Sequence, residues 1–500
     1  MVAIYAASRF FRLTESCLWF DEIFSVHAAE HSWGEIFNFL ALDLIHPPLF
    51  YLLLKLWMAI GGDGVFWLRL FPVLISFVAV FPFIKLCREL RIDRFAIIFA
   101  LFLTATNGAL IKYAQEVRMY SLLMCLSLFS MWLFVRLGNR GRGLIGLAIV
   151  NVLMVYTHYF GWLVIAAEIV AAAILYRHLL RRMLVISAGT FVAFLPWLFA
   201  IVLASRQGSD VKQNIGWVSR PGIYEVFQFV LDTVEPFYQQ STSADAGAIY
   251  LVAVPILLLA IAGMIAGLFA GSRTNDKAVK VLAVLVIIPI VLAFLASWLS
   301  PLSIWGTRHL IIVFAPLAIL IGHLLFQISV PWMKGAFTAA TVLLSAVSFS
   351  VVMTKDSVTN SWCVADDLAR QVAETNDPKT IYALEDLVAY HVWFATRHDP
   401  GTSVKVLKGI PGMKEDSAYF LPRGFGAVES VVVGEHAVLA NDASLIFRLP
   451  NGAAHRQGSE SLSGDSPLVR ELSVFGLRLT ETTHRDLPGE SVYLVRIAAD

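Results

Sequence analysis

Apolar runs of helical length punctuate the first 352 positions: Val65–Leu86, Phe95–Ile111, Val117–Val135, Gly143–Tyr156, Phe160–Tyr176, Met183–Ala204, Ala246–Ala270, Val279–Leu299, Leu310–Phe326 and Gly335–Val352. A bilayer crossing takes about 20 such residues, with ~17 to 25 tolerated, so most qualify and Gly143–Tyr156 is short. Only helices satisfy their own backbone inside lipid when the chain does not close into a barrel, which predicts an all-α polytopic bundle. Two stretches break the pattern. Met1–Ser8 is too short to cross; either a first helix is abbreviated to its last two turns or the chain starts further upstream. Pro47–Ile60 is roughly 14 residues long, opens on two prolines and carries Lys55, which suits a helix lying on or dipping into one leaflet. The expectation is about 11 membrane helices, with juxtamembrane helices in the first outer loop.

After Val352 the pattern changes to mixed polar sequence with Gly and Pro punctuation. Asp366–Glu374 has helical spacing, and Thr380–Leu384, Val404–Leu407, Ser430–Val433, Ser444–Arg448 and Ser491–Ile497 have strand character. The expected division is 1–353 for the membrane domain and 354–500 for a small soluble α/β domain. Internal repeats of the kind that mark many secondary transporters are not apparent.

Charge orients the bundle. If Pro47–Ile60 does not cross, one set of links carries Lys85, Arg88, Arg91 and Arg94, then Arg136, Arg140 and Arg142, then Arg177, Arg181 and Arg182, then Arg273, Lys277 and Lys280. Short basic links belong on the cytoplasmic side. The other links, 8–64, 112–118, 157–159, 205–245 and 300–309, are longer or less basic and face outward, as does the C-terminal domain. Were Pro47–Ile60 a crossing, the parity would invert and the rule would fail throughout. Composition agrees: 58% of residues are hydrophobic, 15% are charged, and mean hydropathy is +0.71. A soluble chain of this length needs more polar surface. The net charge of +1 gives no case for nucleic acid. Cys17, Cys87, Cys125 and Cys363 are scattered, which excludes a CxxC zinc site and leads us to expect free thiols over a Cys17–Cys363 pair.

The unusual polar groups then fall on the outward face: Asp21-Glu22, Asp43, His46, Gln115-Glu116-Val117-Arg118, His158 and Arg308-His309. Charge at membrane depth is costly and usually faces a cavity or another charge. Asp21 and Glu22, flanked by Trp19 and Phe20, suit a general base for an acceptor hydroxyl, or a cation site; a solvated helix N-terminus explains them equally. His46 precedes a Pro-Pro helix start, and helix capping is the plain alternative. Arg118 and Arg308 suit phosphate, since a guanidinium fork matches phosphate oxygens; a Glu116–Arg118 pair and headgroup anchoring are the alternatives. Lys55 can reach a lipid phosphate or snorkel. Glu168, lone and deep, is expected to pair with a neighbouring helix. The 205–245 link carries Trp217, Tyr224, Phe227, Phe229, Phe237 and Tyr238 with the acids Glu225, Asp232 and Glu235, and reads as a loop over a lipid-linked substrate or as an interfacial aromatic belt.

In chain order, RFFRLTESCLWFDEIFS, HPPLFYLLLKLW, WLRLFPVLISF, YAQEVRMYSLL, THYFGWL and GTRHLIIVFAPLAIL resemble the GT-C glycosyltransferases, in the bacterial branch similar to dolichyl-phosphate-mannose protein mannosyltransferases and lipid A aminoarabinose transferases. The resemblance covers about Arg9 to Val352. It implies an enzyme of the bacterial inner membrane that moves a sugar from a polyprenyl-phosphate donor to a glycolipid, polysaccharide or protein acceptor on the periplasmic or outer side. It assigns Asp21 as base and Glu22 as its support; with such a donor, Arg118, Lys55 and Arg308 are the candidates to hold its phosphate, and His46, Glu116, Gln115, His158 and Tyr113 are candidate supporting residues. Some relatives use a divalent ion, for which Asp21, Glu22 and Glu116 are the candidates. A polytopic transporter or lipid flippase is the competing class.

Overall fold

The structure is a computed structural model that describes residues 1–206, 211, 215–216, 218–237, 246–270, 276–354, 360–374, 379–409, 425–432, 443–450, 477–487 and 489–499. Arg273 of the basic links, and Trp217 and Tyr238 of the aromatic link, lie outside these residues. The chain divides into two compact units. The first joins Met1–Leu13 to Ala28–Ser357; the second joins Thr14–His27 to Val358–Asp500.

In the first unit the apolar runs are helices: α1 (Val2–Phe10), α3 (Glu35–Asp43), α4 (Leu49–Gly61), α5 (Val65–Glu89), α6 (Arg94–Thr106), α7 (Gly108–Gln115), α8 (Tyr120–Arg140), α9 (Leu144–Thr157), α10 (Gly161–Leu175), α11 (Leu180–Arg206), α12 (Ile223–Asp232), α13 (Ala246–Ala270), α14 (Lys277–Leu299), α15 (Phe314–Gln327) and α16 (Pro331–Thr354), with α2 (Phe20–Glu30) running in from the second unit. Among the described residues seven helices are long and apolar enough to cross a membrane; α4, α6, α9 and α10 are shorter apolar helices. The 13 residues of α4 span roughly 20 Å, less than the ~30 Å hydrocarbon core. Large apolar side chains such as Phe199 and Val185 on α11 stay exposed, as lipid-facing positions do. Side chains set the helix starts: Asp93 accepts from the amide of Phe95 at 2.8 Å, and Asp276 from that of Ala278 at 2.8 Å.

One expectation changes here and one is met. The run Phe95–Ile111 is two helices, because Asn107 leaves helical geometry and caps α7 by accepting from the amide of Leu110 at 2.9 Å. Glu168 pairs as expected: the Ser130 hydroxyl lies 2.7 Å from both its carboxyl and the Asn151 side-chain oxygen, tying α8, α9 and α10 together.

The second unit holds α17 (Ser361–Ala373), α18 (Asp386–Thr396) and a six-stranded mixed sheet: β1 (Lys379–Ala383), β2 (Thr402–Lys408), β3 (Glu429–Val432), β4 (Ala443–Pro450), β5 (Leu477–Leu487) and β6 (Glu490–Ala499). The strand order is β3-β2-β1-β4-β6-β5. The first four are parallel, while β6 runs antiparallel to β4 and β5. Val364, Leu368, Val392, Val406 and Ile446 form the core between helices and sheet. The segment Thr14–His27 belongs to this unit. Cys17 and Cys363 form a disulfide, which corrects the expectation of free thiols: tertiary folding brings their Cα atoms to 5.3 Å, within bridging reach. The His27 ring lies 2.9 Å from the Tyr390 hydroxyl and packs against Trp393.

Candidate active site

In the first unit, charged and aromatic groups gather where α3, α4, α7, α8 and α9 begin or end. The centre is Arg118, which enters α8 from the short link after α7 and is 2% exposed. Its Nη2 donates to His46 Nε2 at 2.7 Å and its Nη1 to the Tyr51 hydroxyl at 3.3 Å. A guanidinium only donates, so His46 Nε2 must accept and the ring proton sits on Nδ1, from which it is donated to Asp43. Asp43, His46 and Arg118 thus form one oriented chain of hydrogen bonds. The backbone is bent to allow it. Leu44 has φ +68°, a left-handed conformation that costs a non-glycine residue free energy, and its carbonyl accepts from the Tyr159 hydroxyl at 3.1 Å.

A second tier packs around this chain. His158, at the end of α9, accepts at Nδ1 from the amide of Phe160 at 3.1 Å, and its ring lies 5.4 Å from that of His309. Burial holds the His158 ring well below the usual imidazole range, and the nearby His309, His46, Arg118 and Arg308 push it further down. It therefore stays neutral beside two guanidiniums. Burial also holds the Tyr113 hydroxyl well above its usual range, reinforced by Glu116 and Tyr120 and opposed by Arg308. Lys112 faces Glu116 at 3.7 Å.

A third tier comes from the link before α13. Asp232 accepts from Thr307 Oγ1 at 2.6 Å and from Gln228 at 2.8 Å, and burial raises its carboxyl above the usual range. Burial, with Asp232 beside it, pushes Glu235 up to about 8. The carbonyl of Glu235 accepts from the amide of Gly108, which joins this link to the start of α7.

The structure thus brings together His46, Arg118, His158, Arg308, Tyr113 and Glu116. Lys55 and Gln115 are engaged with backbone: Lys55 Nζ donates to the carbonyls of Ala29 and His31 at 3.0 and 2.6 Å, and Gln115 to those of Arg9 and Phe11 at 3.0 and 2.7 Å. Asp21 and Glu22 lie at the start of α2, on the segment belonging to the second unit. Glu22 is fully buried and accepts from the amide of Trp19 at 3.2 Å. Sequence reasoning did not single out Tyr51 or the partnership of Asp43 with His46. The i, i+3 spacing of Asp43 and His46 just before a Pro-Pro helix start was the available signal. Among the described residues of the first unit no three acid, His or Cys side chains converge as metal ligands.

No protein-family profile and no curated protein sequence matches the chain. Among solved structures it is similar to ArnT from Cupriavidus metallidurans bound to undecaprenyl phosphate, at 13% identity and TM-score 0.48, over 99% of this chain and 97% of that one. The likeness to the apo state of ArnT from Cupriavidus metallidurans has 12% identity and TM-score 0.46, over 99% and 96%. The arabinofuranosyltransferase AftD from Mycobacteria is similar at 15% identity and TM-score 0.40, over 89% of this chain and 36% of that one.

Proposed function

We propose that the chain is a multi-pass membrane glycosyltransferase that moves one sugar from a polyprenyl-phosphate donor to an acceptor hydroxyl on a lipid, glycan or protein. The observation that carries this reading is the desolvated Arg118, aimed by His46 and Asp43 and accompanied by Arg308 and two histidines. A buried guanidinium held in place this way suits an anion more than a neutral solute, and phosphate geometry matches its fork. The ordered motifs from Arg9 to Val352 supply the reaction class by resemblance.

In this reading the acceptor oxygen attacks the anomeric carbon as the bond from that carbon to the donor phosphate oxygen breaks. The hydroxyl proton passes to a carboxylate, assigned to Asp21 on the resemblance, with Glu22 in support. The polyprenyl phosphate leaves as a monoester. Arg118 and Arg308 stabilise the charge that grows on its oxygens, most strongly where water is excluded. A single displacement inverts the anomeric centre. The basic links and the Cys17–Cys363 disulfide support a bacterial inner-membrane protein whose site faces the oxidising side.

The test reconstitutes the full chain with a panel of polyprenyl-phosphate sugars and membrane extract, comparing wild type with Asp21→Asn. Transfer with carrier release by wild type, lost in a folded Asp21→Asn, is the expected result. Equal transfer by both removes Asp21 as base. No transfer with any donor, together with direct binding measurements showing that no polyprenyl phosphate associates, removes the reading.

A further inference from the structure

At the other end of the same helix bundle the first unit opens into a cavity of about 1130 Å³. It lies among the C-terminal ends of α5, α8 and α15 and the start of α14. The 21 residues of α8 separate it from Arg118 by about 30 Å, so it is distinct from the candidate active site. Its walls carry acids and bases in similar number, but the acids are occupied. Glu89 accepts from Arg140 Nε at 3.0 Å. Asp276 accepts from Gln327 at 2.6 Å, lies 2.8 Å from His323 Nε2 and caps α14. Asp93 caps α6.

The bases are left over. Among the described residues Arg88 and Arg91 make no ion pair with a carboxylate, and both side chains are exposed to the cavity. Lys277 rests its ammonium 3.8 Å over the Tyr176 ring and has no acid partner among them either. Arg91 also holds φ +57°, a conformation glycine would adopt with less strain. Two guanidiniums and an ammonium around one polar hollow at the ends of membrane helices recognise phosphate. Leu90 and Phe326, which also line the cavity, offer apolar contact beside it.

We propose that this cavity binds a phosphate-bearing anion, supplied either by the headgroup of an anionic phospholipid or by a soluble phosphate ester. Basic pockets between membrane helices suit the former.

The full-length protein is embedded in bilayers of phosphatidylglycerol and phosphatidylcholine, extracted, and its retained lipid counted by mass spectrometry, for wild type, R88Q/R91Q, R88K/R91K and K277M. In parallel, pyrophosphate is tested for protection against thermal unfolding in zwitterionic detergent. Enrichment of phosphatidylglycerol over phosphatidylcholine that falls about tenfold in R88Q/R91Q and is kept in R88K/R91K identifies a lipid headgroup. Protection by pyrophosphate that the same variants lose, without lipid enrichment, identifies a soluble source. K277M, which leaves both arginines in place, is expected to weaken either signal severalfold if R88Q/R91Q does not fold. A wild type that neither enriches phosphatidylglycerol nor gains stability from pyrophosphate overturns the proposal, as does binding that no variant alters.

Discussion

Arg118 and Arg140 stand at the two ends of α8, and the contrast between them describes how this bundle uses charge. Arg118 is 2% exposed, and two of its hydrogen bonds go to uncharged acceptors, an imidazole nitrogen and a tyrosine hydroxyl. Arg140 has a side chain 62% exposed and hydrogen-bonds the carboxylate of Glu89. One cation is taken out of water and oriented; the other stays largely hydrated beside its carboxylate. Coulomb energies grow as the local dielectric falls, so the buried guanidinium acts strongly on an arriving anion, while the exposed Arg140 guanidinium is screened by water and salt. The same residue type makes a reactive pole at one end and a hydrated rim at the other.

Substitutions at four positions press on that contrast. Arg118→Ala has the largest expected effect, a loss of sugar transfer of at least ~100-fold at saturating donor, because it removes a preorganised positive group from a desolvated site. Arg118→Lys restores only part of this, since an ammonium lacks the fork; a full rescue, read in the same assay, shows that charge alone matters. Asp43→Asn comes next. It leaves size unchanged but no longer selects the His46 tautomer, so we expect a fall of about tenfold in kcat with a displaced pH profile and little change in KM. An unchanged profile assigns Asp43 a purely structural part.

Glu235→Gln is smaller and is read by stability. The Glu235 carboxyl titrates near 8 in the fold, well above its usual value, so the folded state holds a proton that the unfolded chain has released. Stability is fully present below the ordinary carboxylate range and falls as pH rises toward about 8. The thermal midpoint in detergent is expected to drop from pH 5 to pH 8 in wild type and to drop less in Glu235→Gln. Equal slopes remove the buried acid. Smallest is Arg140→Ala, expected to cost about 1 kcal/mol by chemical denaturation, because the arginine removed is itself largely exposed. A cost comparable to that of Arg118→Ala, measured the same way, erases the distinction between the two ends.

The sequence announces the helices because twenty consecutive apolar residues have few other uses, and the bounds of α5 and α14 differ from the apolar runs by a few residues at most. It does not announce the break at Asn107, where one amide side chain takes over a helix start, nor β5 and α18, whose patterns of apolar and polar residues are mixed. Of the site, it shows which charges fall at span ends, because charge there is costly. It does not show what each one meets. Lys55 and Gln115 share the spacing of Arg118's neighbourhood, yet both donate to backbone carbonyls, a choice made by the packing of distant segments. The Asp43–His46 contact depends on the left-handed Leu44 between them, which no pattern of apolar residues reports.

The disulfide between Cys17 and Cys363 joins residues 346 positions apart, and both ends lie in the second unit. During synthesis at ~5 to 20 residues per second, the segment Thr14–His27 leaves the ribosome on the order of half a minute before its partners exist. Until then the buried faces of Leu18, Ile23 and Val26 have nothing of their own unit to pack against. The second unit is therefore assembled from two segments of the polypeptide that are made far apart in time. The residues around Cys363 must be made, and the two thiols must meet an oxidant, before the segment that carries Asp21 and Glu22 is secured.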